Sequence, residues 1–355
     1  MGISKEIDKL LHVGTARAPI TPPVGFPISH PEHGSIDSKY VDDDLMAKAI
    51  FFSSGSSEAV VLSLDVWGIA PDLRSNLVNS ISSFSGVPKN NIWITCTGNG
   101  TSPATSIMGS EPDIYVNYNS YLPEICGGVS IQAKNDSSAA AMGTSQVMLP
   151  GVSTGVCKNT EGDPIVQMAV FETSDGKNVG LVTSFSCPSV IRGPDGIWTA
   201  DYPGYAAWFL EQMGTGNVLF ARGTDSDIRP FDWYFGNQAP SHPDRSSNDV
   251  SAFGLLFATQ VSSKMKNIVL RRNVEIYGTE VKKEGVKVLR IGPLVFISIA
   301  SPQPNILGNN IRSAIPESTI IVSANLDGYF LEIGQAIDES VELVAIDTAR
   351  SLGAE

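Results

Sequence analysis

Three stretches of the chain repeat one pattern of apolar runs and polar breaks. In the first, the run Ala49-Ile50-Phe51-Phe52 meets the turn Ser54-Gly55-Ser56 and a second run from Ala59 to Asp65; a helical segment over about Pro71 to Phe84 and a third run from Asn91 to Cys96 follow. In the second, runs at Val166 to Phe171 and Gly180 to Ser186 flank the turn Ser174-Asp175-Gly176, with a helical segment over about Tyr202 to Met213 and a run from Asn217 to Ala221. The third has runs at Val286 to Arg290 and Leu294 to Ile299 around Gly292-Pro293, a helical segment over about Asn305 to Ala314, and a run from Thr319 to Ser323. Short apolar runs bounded by Gly and Asp read as strands, and each unit is a hairpin, a helix and a further strand. The runs are nearly continuous rather than alternating, so both faces of each sheet are covered. The pattern predicts an α/β (α+β) fold, mixed β-sheets flanked by helices and built from three hairpin-helix-strand units within one domain over 1–355.

Between the first two units, Thr101 to Gly151 is rich in Ser, Gly, Asn and Ala and reads mostly as loop or cover, with one helix-compatible run near Tyr118 to Lys134. Phe231 to Asp249 reads as a loop over the strand ends, followed by helices at about Val250 to Met265 and Asp338 to Leu352. Crossover units gather their loops at the C-terminal ends of the strands. This topology selects Asp65, Thr97 to Pro103, Cys187 to Gly193, Arg222 to Pro230, Ser301 to Gln303 and Asn325 to Tyr329 as the place for a site.

Composition narrows the function. The 355 residues are 42% hydrophobic and 17% charged, which excludes disorder and coiled coil. A net charge of -13, from 24 Lys and Arg against 37 Asp and Glu, repels phosphate backbones and anionic lipid, so neither nucleic acid nor membrane is expected as a partner. No apolar run is long enough to span a bilayer and Met1 to Leu11 has no signal-peptide core, which makes the cytoplasm the expected location. Cys96, Cys126, Cys157 and Cys187 have no CxxC spacing and read as free buried thiols.

Within the selected loops, Arg222-Gly-Thr-Asp225-Ser-Asp227-Ile-Arg229 packs two carboxylates and two guanidinium groups into one turn. Such a cluster serves as base, electrostatic clamp or carboxylate binder, or as a structural network of turn salt bridges. Thr97-Gly-Asn-Gly-Thr-Ser-Pro103 is a glycine-opened turn whose N–H groups and hydroxyls suit an oxyanion, without the Lys-Ser/Thr ending of a nucleotide-binding loop. Cys187 has no neighbouring His to form a thiolate. His30, His33 and His242 lie in polar loops at no standard ligand spacing, and would form a metal site only if those loops met.

Several motifs resemble the N-terminal domain of the neutral/alkaline ceramidase family: Gly14-Thr-Ala-Arg17-Ala-Pro-Ile20-Thr-Pro-Pro23-Val-Gly25, Asp42-Asp43-Asp44-Leu-Met-Ala47-Lys48-Ala49, Val61-Leu-Ser-Leu-Asp65, Ala200-Asp201-Tyr202-Pro203-Gly204-Tyr205 and Asp227-Ile228-Arg229-Pro230. The resemblance spans about Val13 to Tyr329 and implies the fold of a zinc-dependent amidase, here with no room for the C-terminal immunoglobulin-like domain of the true ceramidases. It also implies a site that has changed. The family's Thr-His-Thr-His-Ser-Gly-Pro run is matched by Thr97 to Pro103, its Ala-Cys-His-Pro by Ser186-Cys187-Pro188-Ser189, and its Pro-Gly-Glu by Ser301-Pro302-Gln303. Gly98, Pro188 and Gln303 thus stand at ligand positions, and Arg229 stands where the family has its nucleophilic serine.

These readings combine into one expectation: a hydrolase-like, metal-independent enzyme without a cofactor, acting on a small polar and anionic substrate. Asp201, Asp225 and Asp227 are its expected acid or base groups. Arg229 is the expected substrate anchor, with Arg192, Arg222, Asn99, Thr101, Tyr202, Gln303 and Asp65 around it. The alternative is a non-catalytic ligand-binding or assembly protein on the same scaffold, and either could form a homo-oligomer. An open cleft at Asp225, Asp227 and Arg229 separates the first reading from a closed salt-bridge network, which favours the second.

Overall fold

The computed structural model describes residues 9–30, 34–105, 114–155, 162–193, 195–230, 246–281, 285–323 and 339–354. In chain order, β1 (His12–Pro19) is followed by the short strands β2 (Pro27–His30), β3 (Gly34–Asp37) and β4 (Tyr40–Val41). The first unit is the hairpin β5 (Met46–Ser54) and β6 (Ser57–Leu64), then α1 (Pro71–Ser85) and β7 (Ile92–Cys96). The connection carries α2 (Ile114–Asn135), β8 (Ser138–Met148) and β9 (Ser153–Gly155). The second unit is β10 (Ile165–Thr173), β11 (Asn178–Phe185), the short β12 (Ile197–Trp198), α3 (Asp201–Gln212) and β13 (Asn217–Arg222), followed by β14 (Ile228–Pro230) and α4 (Ser247–Met265). The third is β15 (Ile276–Val281), β16 (Val286–Ile291), β17 (Leu294–Ile299), α5 (Asn305–Ala314) and β18 (Thr319–Ser323), and α6 (Glu339–Ser351) follows it.

Each unit closes in the same way, with a hairpin paired antiparallel and the last strand returning parallel through a crossover helix: β6 with β7, β11 with β13, β17 with β18. The first two units share an eight-stranded sheet, ordered β13-β11-β10-β8-β1-β5-β6-β7, and the third is a four-stranded sheet, β15-β16-β17-β18. The helix expected near Tyr118 to Lys134 is the 22-residue α2, while the loop expected around it is corrected: it holds the 11-residue β8, which pairs with β10 from Ile165↔Met148 to Thr173↔Ala140. The sequence of β8, Ser-Ala-Ala-Ala-Met-Gly-Thr-Ser-Gln-Val-Met, has only Thr144 and Val147 of the β-branched and aromatic residues that mark strands. Its small residues admit close neighbours. A Cβ on Gly143 would come within 2.3 Å of Ile268.

The period of two along each strand sorts side chains between two cores. Phe51, Val60 and Leu62 face α1 and α2, while Ile50, Phe52 and Val61 face inward. In the second unit Val170, Leu181 and Phe220 pack under α3 and α4, and Phe171, Val182 and Leu219 face inward. In the third, Val288, Val295 and Ile320 pack under α5 and α6, and Leu289, Phe296 and Ile321 face inward. All three inward faces meet in one apolar cluster, with Trp93 against Phe296 at 4.9 Å and Phe52 against Phe171 at 5.1 Å between ring centroids. The strands therefore converge. Ser63 donates a hydrogen bond to the Phe220 carbonyl at 2.6 Å, and the Thr95 and Ser323 hydroxyls lie 2.8 Å apart.

Candidate functional site

Because β7 and β13 run parallel to their unit neighbours and the three units converge, the described loops after β7, β11, β13 and β17 meet at one end of the strands, joined by Gly100 N–H to Ser189 and Ser226 N–H to Gln303. The turn after β7 opens at Gly98, whose φ of +69° is the left-handed conformation that glycine tolerates best. Its N–H groups are spent locally: Thr97 on Leu64, Gly98 and Asn99 on Val66, Gly100 on Ser189, and Thr101 on Asn99 Oδ1. Asn99 Nδ2 and Thr101 Oγ1 both donate to the Thr199 carbonyl, each at 2.8 Å. The expected oxyanion-binding turn is corrected accordingly. These groups lock the turn to the segment before α3, and the N–H groups from Thr97 to Thr101 are all taken up by the framework.

Asp201, the first residue of α3, adopts φ +52°, the only positive φ of a non-glycine among the described residues. Its carboxylate is wholly buried and accepts the N–H of Arg192 at 2.8 Å and of Tyr202 at 2.7 Å. Tyr202 donates its hydroxyl to the Cys187 carbonyl and sits among Phe220, Phe253 and Phe257. It is wholly buried in that apolar cluster and so packs the core, and burial holds its phenol well above the ordinary range. Burial, reinforced by Asp225 and Asp201, likewise pushes the Cys187 thiol well up, which removes it as a thiolate nucleophile.

Arg222 and Asp225 are both fully buried, and Arg222 Nε donates to both Asp225 carboxylate oxygens, at 2.8 and 2.9 Å. The guanidinium lies over the Trp67 ring, 4.5 Å from its centroid. Burial works against the Arg222 charge, and Asp225 more than offsets it. Asp227 accepts the Asn305 N–H at 2.7 Å, which ties the loop after β13 to the first residue of α5. Arg229, half-buried on β14, donates to the Ile228 carbonyl and contributes to the field at Cys187 and Asp225. Arg192 Nε donates to Asp195 and its Nη1 to Ser247. Gln303 donates its amide to Ser301 and accepts the Ser226 N–H through its carbonyl.

Asp65 accepts the Met46 N–H at 2.9 Å, and burial raises its carboxyl to about 6 against the opposing pull of Lys48. Sequence reasoning missed its neighbour Asp43. Asp43 takes hydrogen bonds from the Thr199 hydroxyl and the Ala200 N–H, and burial raises it to about 7, with Asp65 adding to the effect. The available signal was Asp42-Asp43-Asp44, a run of acids just before a buried strand.

The described part of the cluster is thus a buried hydrogen-bonded network in which Arg222 Nη2, Ser226 Oγ and Asn305 Oδ1 have no partner among the described residues. Cavities of about 480 and 840 Å³ lie elsewhere, around Asn178 and Asn217 at the starts of β11 and β13 and around Ser57 at the start of β6. Among the described residues no group of three His, Cys, Asp or Glu side chains is placed to hold a metal ion. A zinc ion does not fit this donor set. Gly98 and Pro188 offer no ligand atom, Gln303 is tied to Ser301, and a Cβ on Gly98 would stand 2.5 Å from Arg222 Cδ and 2.9 Å from its Cζ. The side chain of His30, together with His33, Cys157, His242 and Asn325 to Tyr329, lies outside the described residues.

No protein-family model and no curated protein sequence matches the chain. Among solved structures it is similar to the neutral ceramidase from Pseudomonas aeruginosa, with a TM-score of 0.71 and 12% identity over 89% of this chain and 67% of that one. It is also similar to a ceramidase complexed with C2, with a TM-score of 0.76 and 13% identity over 97% and 75% of the two chains. At these identities the likeness is one of fold, and the fold is neutral-ceramidase-like.

Proposed function

We propose that this chain uses a neutral-ceramidase-like fold without zinc, as a protein that binds a small polar ligand where the three units meet. The observation that carries this reading is the Arg222 guanidinium packed over Gly98, which takes the space a metal-binding side chain would need at that position. Ligand binding is favoured over hydrolysis because Asp201, Asp225 and Asp227 are each committed to N–H donors of the framework. A base that already accepts structural hydrogen bonds in a buried site is poorly placed to take a substrate proton. The net charge of -13 favours a small molecule over nucleic acid or membrane as partner.

Elemental analysis of protein purified without added metal is expected to give no stoichiometric zinc. About one zinc per chain would overturn the reading and point to His30, His33 or His242. A second reading, acid-base catalysis, is favoured by Asp43 and Asp65, two neighbouring carboxyls raised to about 7 and about 6 beside the start of α3. Turnover of short N-acyl or ester compounds that Asp65→Asn abolishes without unfolding the protein would establish it instead.

A further inference from the structure

Arg222 is more than a partner for Asp225. A guanidinium has five N–H donors in a rigid planar fork. In Arg222, Nε is engaged by Asp225, Nη1 approaches the Trp67 carbonyl at 3.5 Å, and the ring of Trp67 covers one face. Nη2 is fully buried and has no hydrogen-bond partner among the described residues. Buried polar atoms without partners are rare, and a donor carrying charge is the costliest kind.

Two more such atoms belong to the same junction, the hydroxyl of Ser226 and Oδ1 of Asn305. Both residues are at least nine-tenths buried. They are tied to the Arg222 loop and to each other's segment: Ser226 N–H donates to Gln303, Asn305 N–H donates to Asp227, and Thr224 Oγ1 approaches the Asn305 carbonyl at 3.5 Å. The loop after β13 and the first turn of α5, tied together by these bonds, therefore carry a cationic donor, a hydroxyl and an amide acceptor without partners among the described residues.

We infer that Arg222 is the fixed cation of this site and binds a small carboxylate through its free edge, with Ser226 and Asn305 completing the contact. A planar carboxylate matches the guanidinium edge, Ser226 donates to an oxygen, and Asn305 Oδ1 accepts from a hydroxyl or amide adjoining the carboxyl. A side chain at position 98 and the guanidinium exclude one another in space, so the cation and a histidine ligand are alternatives. This inference rests on the ligand-binding reading above.

Thermal unfolding of the full chain tests it, with acetate, acetamide, inorganic phosphate and chloride as probes at matched ionic strength. Acetate is expected to raise the unfolding temperature along a saturating curve, as a ligand of the native state does, while chloride and acetamide leave it unchanged. Asn305→Asp should move the acetate midpoint at least about tenfold higher by setting a second carboxylate against the ligand; because that carboxylate also lies beside Asp227, each response is read against the variant's own probe-free unfolding temperature. Arg222→Lys should abolish the response by removing the fork. If that variant fails to fold, Asn305→Asp and Ser226→Ala decide the matter. Identical curves for acetate and chloride, or an Asn305→Asp response equal to wild type, would overturn the inference. Stabilisation by acetamide without acetate would overturn it while leaving the ligand-binding reading in place, and no response to any probe would remove both. A response to phosphate that Arg222→Lys abolishes, without one to acetate, would replace the carboxylate by phosphate.

Discussion

At position 98 two demands coincide: the backbone is left-handed, and the space beyond Cα belongs to Arg222. Gly98→Ala should therefore lower stability by on the order of 1 to 3 kcal/mol, read from the midpoint of urea unfolding. A midpoint unchanged from wild type would show that Arg222 moves aside freely and that its position is not enforced. The residue types at this junction were legible in the sequence, because strand-end loops can be named from topology. Their commitments were not. Arg222 and Asp225 read as a cluster, yet only the packing shows that one carboxylate serves one guanidinium, that Asp201 is held by two N–H groups, and that Tyr202 belongs to the core. Spacing along a chain says nothing of which way a side chain turns once several loops compete for one volume.

Among elements, the three hairpin-helix-strand units were readable because their apolar runs lie between turn residues and their helices carry a clear period. The helix over Asn305 to Ala314 falls where expected, and the one expected from Tyr202 begins at Asp201. β1 and β8 were not readable as strands, since Gly14 and Gly143 are demanded by close approach and not by strand propensity: a Cβ on Gly14 would lie 2.0 Å from the Ala133 carbonyl oxygen. α5 tests how far a distant side chain governs a helix end. Its N-terminal residue donates to Asp227, a carboxylate from another unit, and Pro304 before it has no side-chain cap. Asp227→Ala should cost about 1 kcal/mol and speed hydrogen exchange in the first turn of α5, leaving α3 untouched. Equal acceleration in both helices would mean that the loop collapses as a whole.

For the whole molecule, Asp43 and Asp65 set a pH dependence of unusual sign. Both bind protons more tightly when folded than the ordinary carboxylate near 4 does, so between about 4 and 7 the native state holds more protons than the unfolded one. Their contribution to stability is complete below that window and is lost as pH rises through it. Asp65→Asn, which can keep an acceptor for the Met46 N–H, should flatten the fall between pH 4 and 6 by on the order of 2 kcal/mol, measured as the wild-type minus variant difference in unfolding free energy. A difference that grows in the opposite direction would show Asp65 to be ionised in the native protein.

β1 adds a consequence of a different kind. It pairs along its length with β5, beginning at His12↔Ser53, and at one end with β8 through His12↔Ala139 and Val13↔Ser138. During synthesis the first of these partners emerges soon after β1, and the second only after α1, β7 and α2 have been made. Through that interval the outer edge of β1 presents unpaired backbone groups beside an apolar face still awaiting the second and third units. Unpaired edges invite pairing with other chains, so the hazard of aggregation for this molecule is concentrated in a half-made sheet and falls as β8 and the second unit arrive.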